Sequence, residues 1–228
     1  MIKLGYIDGF YSVVLLGGFN PMIFHPFWLL QKKLISESDV TEKKIVVNEQ
    51  ISTYHVGDWL EMTVTQKRCE FKIKKAERVV MMRDLIIGTL NALPEMPIFA
   101  VGINRGGVYN LSDEKSYYIF GAKLAPLGMW EPSFHDPRLR NIAIEDVGSE
   151  HFKERRRMIQ IKPAEVQDYP YCVDFNINNH YDLEKVGQTV GKALSVLNDN
   201  LDNDYETFQD IVDNLVSKMN EQMSNEKN

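Results

Sequence analysis

The feature that most constrains the fold is a stripe of apolar residues near the C-terminus. Leu183, Val186, Val190, Leu194, Leu197, Leu201, Tyr205, Phe208, Val212, Leu215 and Met219 recur at steps of three and four, and after Gly191 no Pro or Gly interrupts them. That spacing keeps one face of an α-helix apolar throughout. A helix of roughly 37 residues spans about 55 Å at 1.5 Å per residue, more than the expected width of a domain of this size. Two outcomes satisfy the pattern. The helix breaks and re-caps near Asn198–Asp204, or its end projects and offers Tyr205, Phe208, Val212, Leu215 and Met219 to a partner or a second copy.

The rest of the chain gives that helix something to lie on. Tyr11–Phe19 reads as a strand ending in a Gly-Gly turn, and His25–Ile35 as a short helix with Pro26 in its first turn. Lys44–Val56 is rich in β-formers. Leu60–Thr65 turns Leu60, Met62 and Val64 inward and Glu61, Thr63 and Thr65 outward; Cys69–Lys74 turns Cys69, Phe71 and Ile73 inward and Glu70, Lys72 and Lys74 outward. Helical spacing holds over Glu77–Leu93, and Pro94 and Pro97 close it. The order then begins again. Ile98–Leu111 is a strand interrupted by a Gly106-Gly107 bulge, and a helix capped by Ser112 runs to Lys123. A Pro- and Gly-rich stretch, 126–137, leads to strands at Arg140–Asp146, Arg156–Lys162 and Tyr171–Asn178. The last of these turns Asp174, Asn176 and Asn178 outward, and Asp182 stands where the N-cap of the last helix belongs.

Both halves thus read strand, short helix, three strands, long helix. This predicts an α+β protein: two pseudo-symmetric β-α-β-β-β-α halves, about 8–95 and 96–222, form one curved antiparallel sheet, with long helices packed on one face. The halves make a single domain, and 223–228 is a disordered tail. The element order resembles the TATA-binding-protein-like fold, a resemblance that implies shape and not function.

Charge and cysteine usage narrow the function classes. The chain carries 26 Lys+Arg against 32 Asp+Glu, net −6, where a general nucleic-acid binder is basic. From Asp199 to Asn228 there are eight acids and two bases, so the whole excess sits there and residues 1–198 sum to zero. The segment Arg138–Lys162 has seven bases and four acids and is the complementary basic stretch. Its run Lys153, Arg155, Arg156, Arg157 is the one place for phosphate contacts. The outward strand residues, however, mix charges and hold no aromatic wedge, so nucleic acid is not the expected partner. The two cysteines, Cys69 and Cys172, lie far apart with no CxxC. A zinc site and a disulfide framework are therefore not expected. The apolar stretch Phe10–Phe19 is preceded by Asp8 and followed by glycine and proline rather than a cleavage site. No run reaches membrane-spanning length. A cytoplasmic protein is expected.

The residues able to carry chemistry are scattered. His25, flanked by Phe24 and Pro26 with Trp28 close by, fits an anion or acid/base site or a capped aromatic corner. Arg105 is the ligand-competent residue in Gly102–Gly107, which lacks phosphate-loop spacing. Trp130 and His135-Asp136 lie in the Pro/Gly-rich stretch and Arg138 directly follows it, and no third metal ligand recurs at a useful spacing. His180 follows the outward Asp174, Asn176 and Asn178, a cluster that His25 or His135 can complete. No activated nucleophile is present. No catalytic residue, metal or cofactor is assigned.

The stretches FNPMIFHPFW (19–28), AVGINR (100–105), AKLAP followed by Trp130, and VDFNINNHYDL (173–183) resemble those of an uncharacterised family of bacterial proteins. Its pattern is FNPxIFHPxW, an AxGINR strand and N-x-N-x-HY before the last helix. The resemblance spans nearly the full chain and implies no activity, cofactor or catalytic residue. The function expected first is a non-enzymatic binding or assembly protein, a homodimer or a subunit of a bacterial complex, acting through its sheet and acidic C-terminal helix. A small-ligand or enzyme pocket gathering His25, Arg105, Trp130 and His180 is the second expectation. Nucleic-acid binding through 153–162 is the third.

Overall fold

Two 14-residue strands, β1 (Leu4–Gly17) and β6 (Ile98–Leu111), run antiparallel at the middle of a wide sheet, paired from Leu4 opposite Leu111 to Gly17 opposite Ile98. The structure is a computed structural model that describes residues 1–40, 45–130, 133–147, 155–183 and 188–225. Beyond β1 come β5 (Arg68–Ile73), β4 (Leu60–Thr65), β3 (Ile51–Val56) and β2 (Val46–Val47); beyond β6 come β9 (Tyr169–Asp182), β8 (Arg155–Val166) and β7 (Ile142–Asp146). Every pairing is antiparallel and the sheet is open. The last strand of each half, β5 or β9, pairs with that half's first, β1 or β6. The two halves therefore meet along β1–β6 in one continuous sheet, and the protein is α+β.

Alternation decides which face is covered. Leu60, Met62, Val64, Cys69, Phe71 and Ile73 all turn to one side and are buried there. Against that side pack α2 (Val79–Ala92), through Met82, Leu85, Ile86 and Leu90, and α4 (Val190–Asn225). The short helices α1 (Pro26–Gln31) and α3 (Glu114–Leu124) add Leu29 and Phe120 to the core. Among the described residues no helix packs on the opposite face.

From Val190 to Met219 the apolar stripe lies on one unbroken helix, and it does not project. Ala193, Leu197, Leu201 and Tyr205 are buried in the core of the first half. Phe208, Val212 and Met219 are buried in that of the second, with Leu215 packed against them. At its end the Asn220 side chain accepts from Ile2 N at 2.6 Å and donates to Ile2 O at 3.0 Å, tying α4 to the start of β1. The expected partner surface at Tyr205, Phe208, Val212, Leu215 and Met219 is therefore the protein's own interior. A helix of this length outruns a round domain but not a wide sheet. A nine-stranded sheet with 14-residue strands measures about 40 by 45 Å, with a diagonal on the order of 60 Å. A 36-residue helix, about 54 Å long, fits within it.

Other local expectations shift. β1 begins at Leu4 rather than Tyr11. The sheet register runs straight through Gly106 and Gly107 on both sides; the shifts in the β1–β6 pairing lie elsewhere, between Tyr6 and Asp8 and between Leu16 and Gly17. A side chain at Gly106 would collide with the Phe10 ring, which accounts for that glycine without a bulge. α1 ends at Gln31 because Lys33 adopts a left-handed φ of 59°. Asp113 caps α3, accepting from Ser116 N at 2.7 Å, and Ser112 only donates to Asp113. β9 continues to Asp182, so Asp182 is not a helix cap, and α4 starts at Val190 rather than Leu183. Residues 223–225, expected in the tail, belong to α4; the remainder, 226–228, lies outside the described residues. No helix among the described residues is long and apolar enough to cross a membrane.

Candidate functional site: an amide groove on the open sheet face

Strand pairing builds a grid on the uncovered face. Across six strands, Lys72, Ser12, Asn104, Asn178, Met158 and Glu145 stand opposite one another in one row. The flanking rows are Glu70, Val14, Gly102, His180 and Arg156, and Phe10, Gly106, Asn176 and Gln160. On the central strands β1, β6 and β9 these rows thus set Ser12, Asn104, Asn176, Asn178 and His180 among Phe10, Val14, Gly102 and Gly106, and their charges stand on β5, β7 and β8. The side chains enclose a groove of about 290 Å³.

Two glycines shape its floor differently. Gly106 is roofed by the Phe10 ring, over which Lys72 Nζ lies 5.0 Å from the centroid. At Gly102 a Cβ would meet nothing closer than 3.5 Å, so the floor there is open. Asn104 Nδ2 donates to Ser12 Oγ at 3.3 Å, which fixes the amide beside that opening. Asn104 Oδ1 and Asn178 Oδ1, on adjacent strands, are both buried and accept no hydrogen bond. Buried polar atoms are normally satisfied, so two orphan acceptors in one row of one groove mark a place where donors belong. Burial, and then the nearby Arg156 charge, hold the His180 imidazole below its usual pKa, so the groove centre is uncharged near neutral pH.

The helix-covered face holds a second polar cluster of a different kind. Asp204 of α4, fully buried, lies 3.2 Å from Arg157 Nη2 and 3.8 Å from Arg155 Nη1, and its Oδ2 accepts from the Tyr181 hydroxyl at 2.7 Å. Arg157 Nε also donates to Asn179 Oδ1 at 2.6 Å, and Asn179 Nδ2 donates to Ile103 O at 3.3 Å. Burial pushes the Asp204 carboxyl above the usual carboxylate range, against the pull of Tyr181 and the two guanidinium groups. This is an internal clasp between α4 and the sheet.

The residues proposed from sequence do not converge. His25 caps α1, its Nδ1 accepting from Phe27 N at 3.2 Å with the two rings stacked, and Trp28 packs beside Phe24 against the core. Arg105 points to the helix side, donates to Tyr205 O and Gln209 Oε1, and lies between the Tyr11 and Phe208 rings. Trp130 is exposed beside Phe134, and Arg138 grips Asp136 over the Tyr118 ring. Only His180 joins the groove, so a shared pocket of His25, Arg105, Trp130 and His180 does not form. The basic run fails as a phosphate surface because strand alternation divides it. Arg155 and Arg157 turn in to Asp204, while Arg156 turns out, 3.9 Å from Glu145. Lys153 lies outside the described residues. Among the described residues no three His, Cys, Asp or Glu side chains gather as a metal site.

The outward Asn176 and Asn178 were legible from the alternation of β9. Ser12 and Asn104 were missed, because the runs YSVVLL and AVGINR are nearly continuous in apolar residues, and a central strand shows no clean period of two. The signal that would have found them is their polarity inside those runs. No protein-family model matches the chain, and no curated protein matches it.

Proposed function

We propose that the protein is a binding protein whose open sheet face receives a neutral, hydroxyl-rich ligand: a short oligosaccharide. The observation that carries this reading is the pair of buried, unpartnered acceptors Asn104 Oδ1 and Asn178 Oδ1 in one row of the groove. A ligand there must bring hydrogen-bond donors. Asn and Gln side chains each offer a donor and an acceptor side by side, which suits the alternating roles of sugar hydroxyls. The two charged residues that line the groove, Arg68 and Glu70 at its β5 side, pair with each other at 2.9 Å, so neither sign is left to favour an ion, and the Phe10 ring supplies an apolar wall. A groove crossing five strands is about 19 Å long at the usual strand spacing, the scale of a few sugar rings. The stretches AVGINR and NINNHY together supply Gly102, Asn104, Asn176, Asn178 and His180.

Calorimetric titration with neutral, acidic and amino-sugar oligosaccharides tests this. The neutral ones bind, and Asn178→Ala weakens that binding about tenfold or more, the loss expected when a buried polar contact is removed. Failure of every neutral oligosaccharide to bind, or Asn178→Ala binding as tightly as wild type, overturns the reading.

A further inference from the structure

Away from the open face, α3, the segment 138–140 and strands β8 and β9 enclose a small pocket of about 140 Å³. Its walls are apolar: Tyr117, Phe120, Leu127, Leu139, Ile161 and Val173. Gly121 of α3 faces Leu139 across the slot, where a Cβ would meet Leu139 Cβ at 3.5 Å, an ordinary contact distance. An apolar cavity of about 150 Å³ takes up benzene, so the volume fits one six-membered ring.

The rim is charged with one sign. Arg138, Arg140 and Lys162 line the pocket, and among the described residues no carboxylate does. Arg138 is engaged by Asp136, and Lys162 lies 3.6 Å from Asp174. Arg140 makes no ion pair among the described residues. A guanidinium beside an apolar slot matches a planar anion attached to a ring, because its fork of N–H groups meets a carboxylate in two parallel hydrogen bonds.

We propose that this pocket binds a small aryl carboxylate, its ring between α3 and Leu139 and its carboxylate on Arg140. This is a second site, independent of the open-face groove, and it uses none of the groove residues.

The full chain is titrated with benzoate and with benzyl alcohol, following amide chemical shifts. Benzoate binds in the millimolar range or tighter and shifts α3 and residues 138–140, and benzyl alcohol binds about tenfold more weakly. Arg140→Gln removes that preference for benzoate while benzyl alcohol binds as before, and Leu139→Trp, which fills the slot, abolishes both. The proposal is overturned if benzoate shifts nothing, if the two ligands bind alike to the wild type, or if Arg140→Gln leaves benzoate binding unchanged. It is equally overturned if a peptide ending in a C-terminal Phe binds there and benzoate does not, since the occupant would then be a protein terminus.

Discussion

Arg157 Nη2 on β8 lies 3.2 Å from Asp204 Oδ1 on α4, and the same guanidinium reaches Asn179 on β9 at 2.6 Å. The contact joins the basic stretch to the acidic C-terminal segment within a single chain. The charge separation visible in the sequence is therefore resolved internally at Asp204, while Glu206 and Asp210 of α4 remain exposed.

Breaking that contact from one side is expected to be costly. Asp204→Leu leaves Arg155 and Arg157 facing a buried apolar site, and removing one partner of a buried pair costs about 3–5 kcal/mol. Urea unfolding of the variant measures it. Replacing Arg155 and Arg157 by Met as well recovers most of the loss, because matched apolar groups no longer strand a charge. A stability for Asp204→Leu within about 1 kcal/mol of wild type contradicts the clasp.

The apolar stripe of α4 is core, and Phe208→Ala is expected to behave as a core truncation, destabilising by about 3–5 kcal/mol. Phe208 is 1% exposed between Arg105 and the second-half core. Glu206→Ala, on the exposed side of the same helix, stays within about 0.5 kcal/mol in the same unfolding assay. Equal, small effects for both would return the stripe to the status of an unfilled interface.

Gly102 separates binding from stability. Its open surroundings accept a Cβ at ordinary contact distance. Gly102→Ala therefore keeps the thermal midpoint, or raises it slightly as the unfolded chain loses freedom. It also lifts the floor of the groove and weakens oligosaccharide binding. Gly9→Ala is the contrast: its Cβ would lie 2.5 Å from the Gly106 carbonyl oxygen, a backbone atom that cannot swing aside. Crowding of that kind costs about 1–3 kcal/mol, read from the same melting curves.

His180 sets a pH dependence. Burial, with the Arg156 charge, lowers its pKa in the folded protein below 6.5. The unfolded chain therefore binds the proton more readily. The stabilisation from neutral His180 is present above pH 6.5 and is lost as pH falls through the folded-state value. The urea midpoint drops between pH 7.5 and pH 5, and His180→Gln flattens that part of the profile. An unchanged slope in the variant contradicts the assignment.

How much was legible in the sequence depended on the strand. On β4, β5 and most of β9 a period of two put Leu60, Phe71 and Phe175 inward and Glu61, Lys72 and Asn176 outward, as the structure has them. The central strands β1 and β6 pair on both sides and bury residues on both faces, so Ser12 and Asn104 carried no periodic signal. Long-range charge pairing was suggested by position alone, since a basic stretch can meet an acidic helix from its own chain or another. Only the fold decides which, by placing Asp204 over β8. The lone chemistry-bearing residues misled because His25, Arg105 and Arg138 each satisfy a local structural need: a helix cap, a helix anchor and a loop pin.

The most direct test of which face works is a ¹⁵N-resolved titration of the full chain with a neutral trisaccharide, following side-chain amide resonances. Asn104, Asn176, Asn178 and Gln160 are expected to shift together and saturate with one affinity, while Gln209 and Asn220 on α4 stay still. Shifts confined to the α4 amides, or none at the four groove residues at saturating sugar, contradict open-face binding.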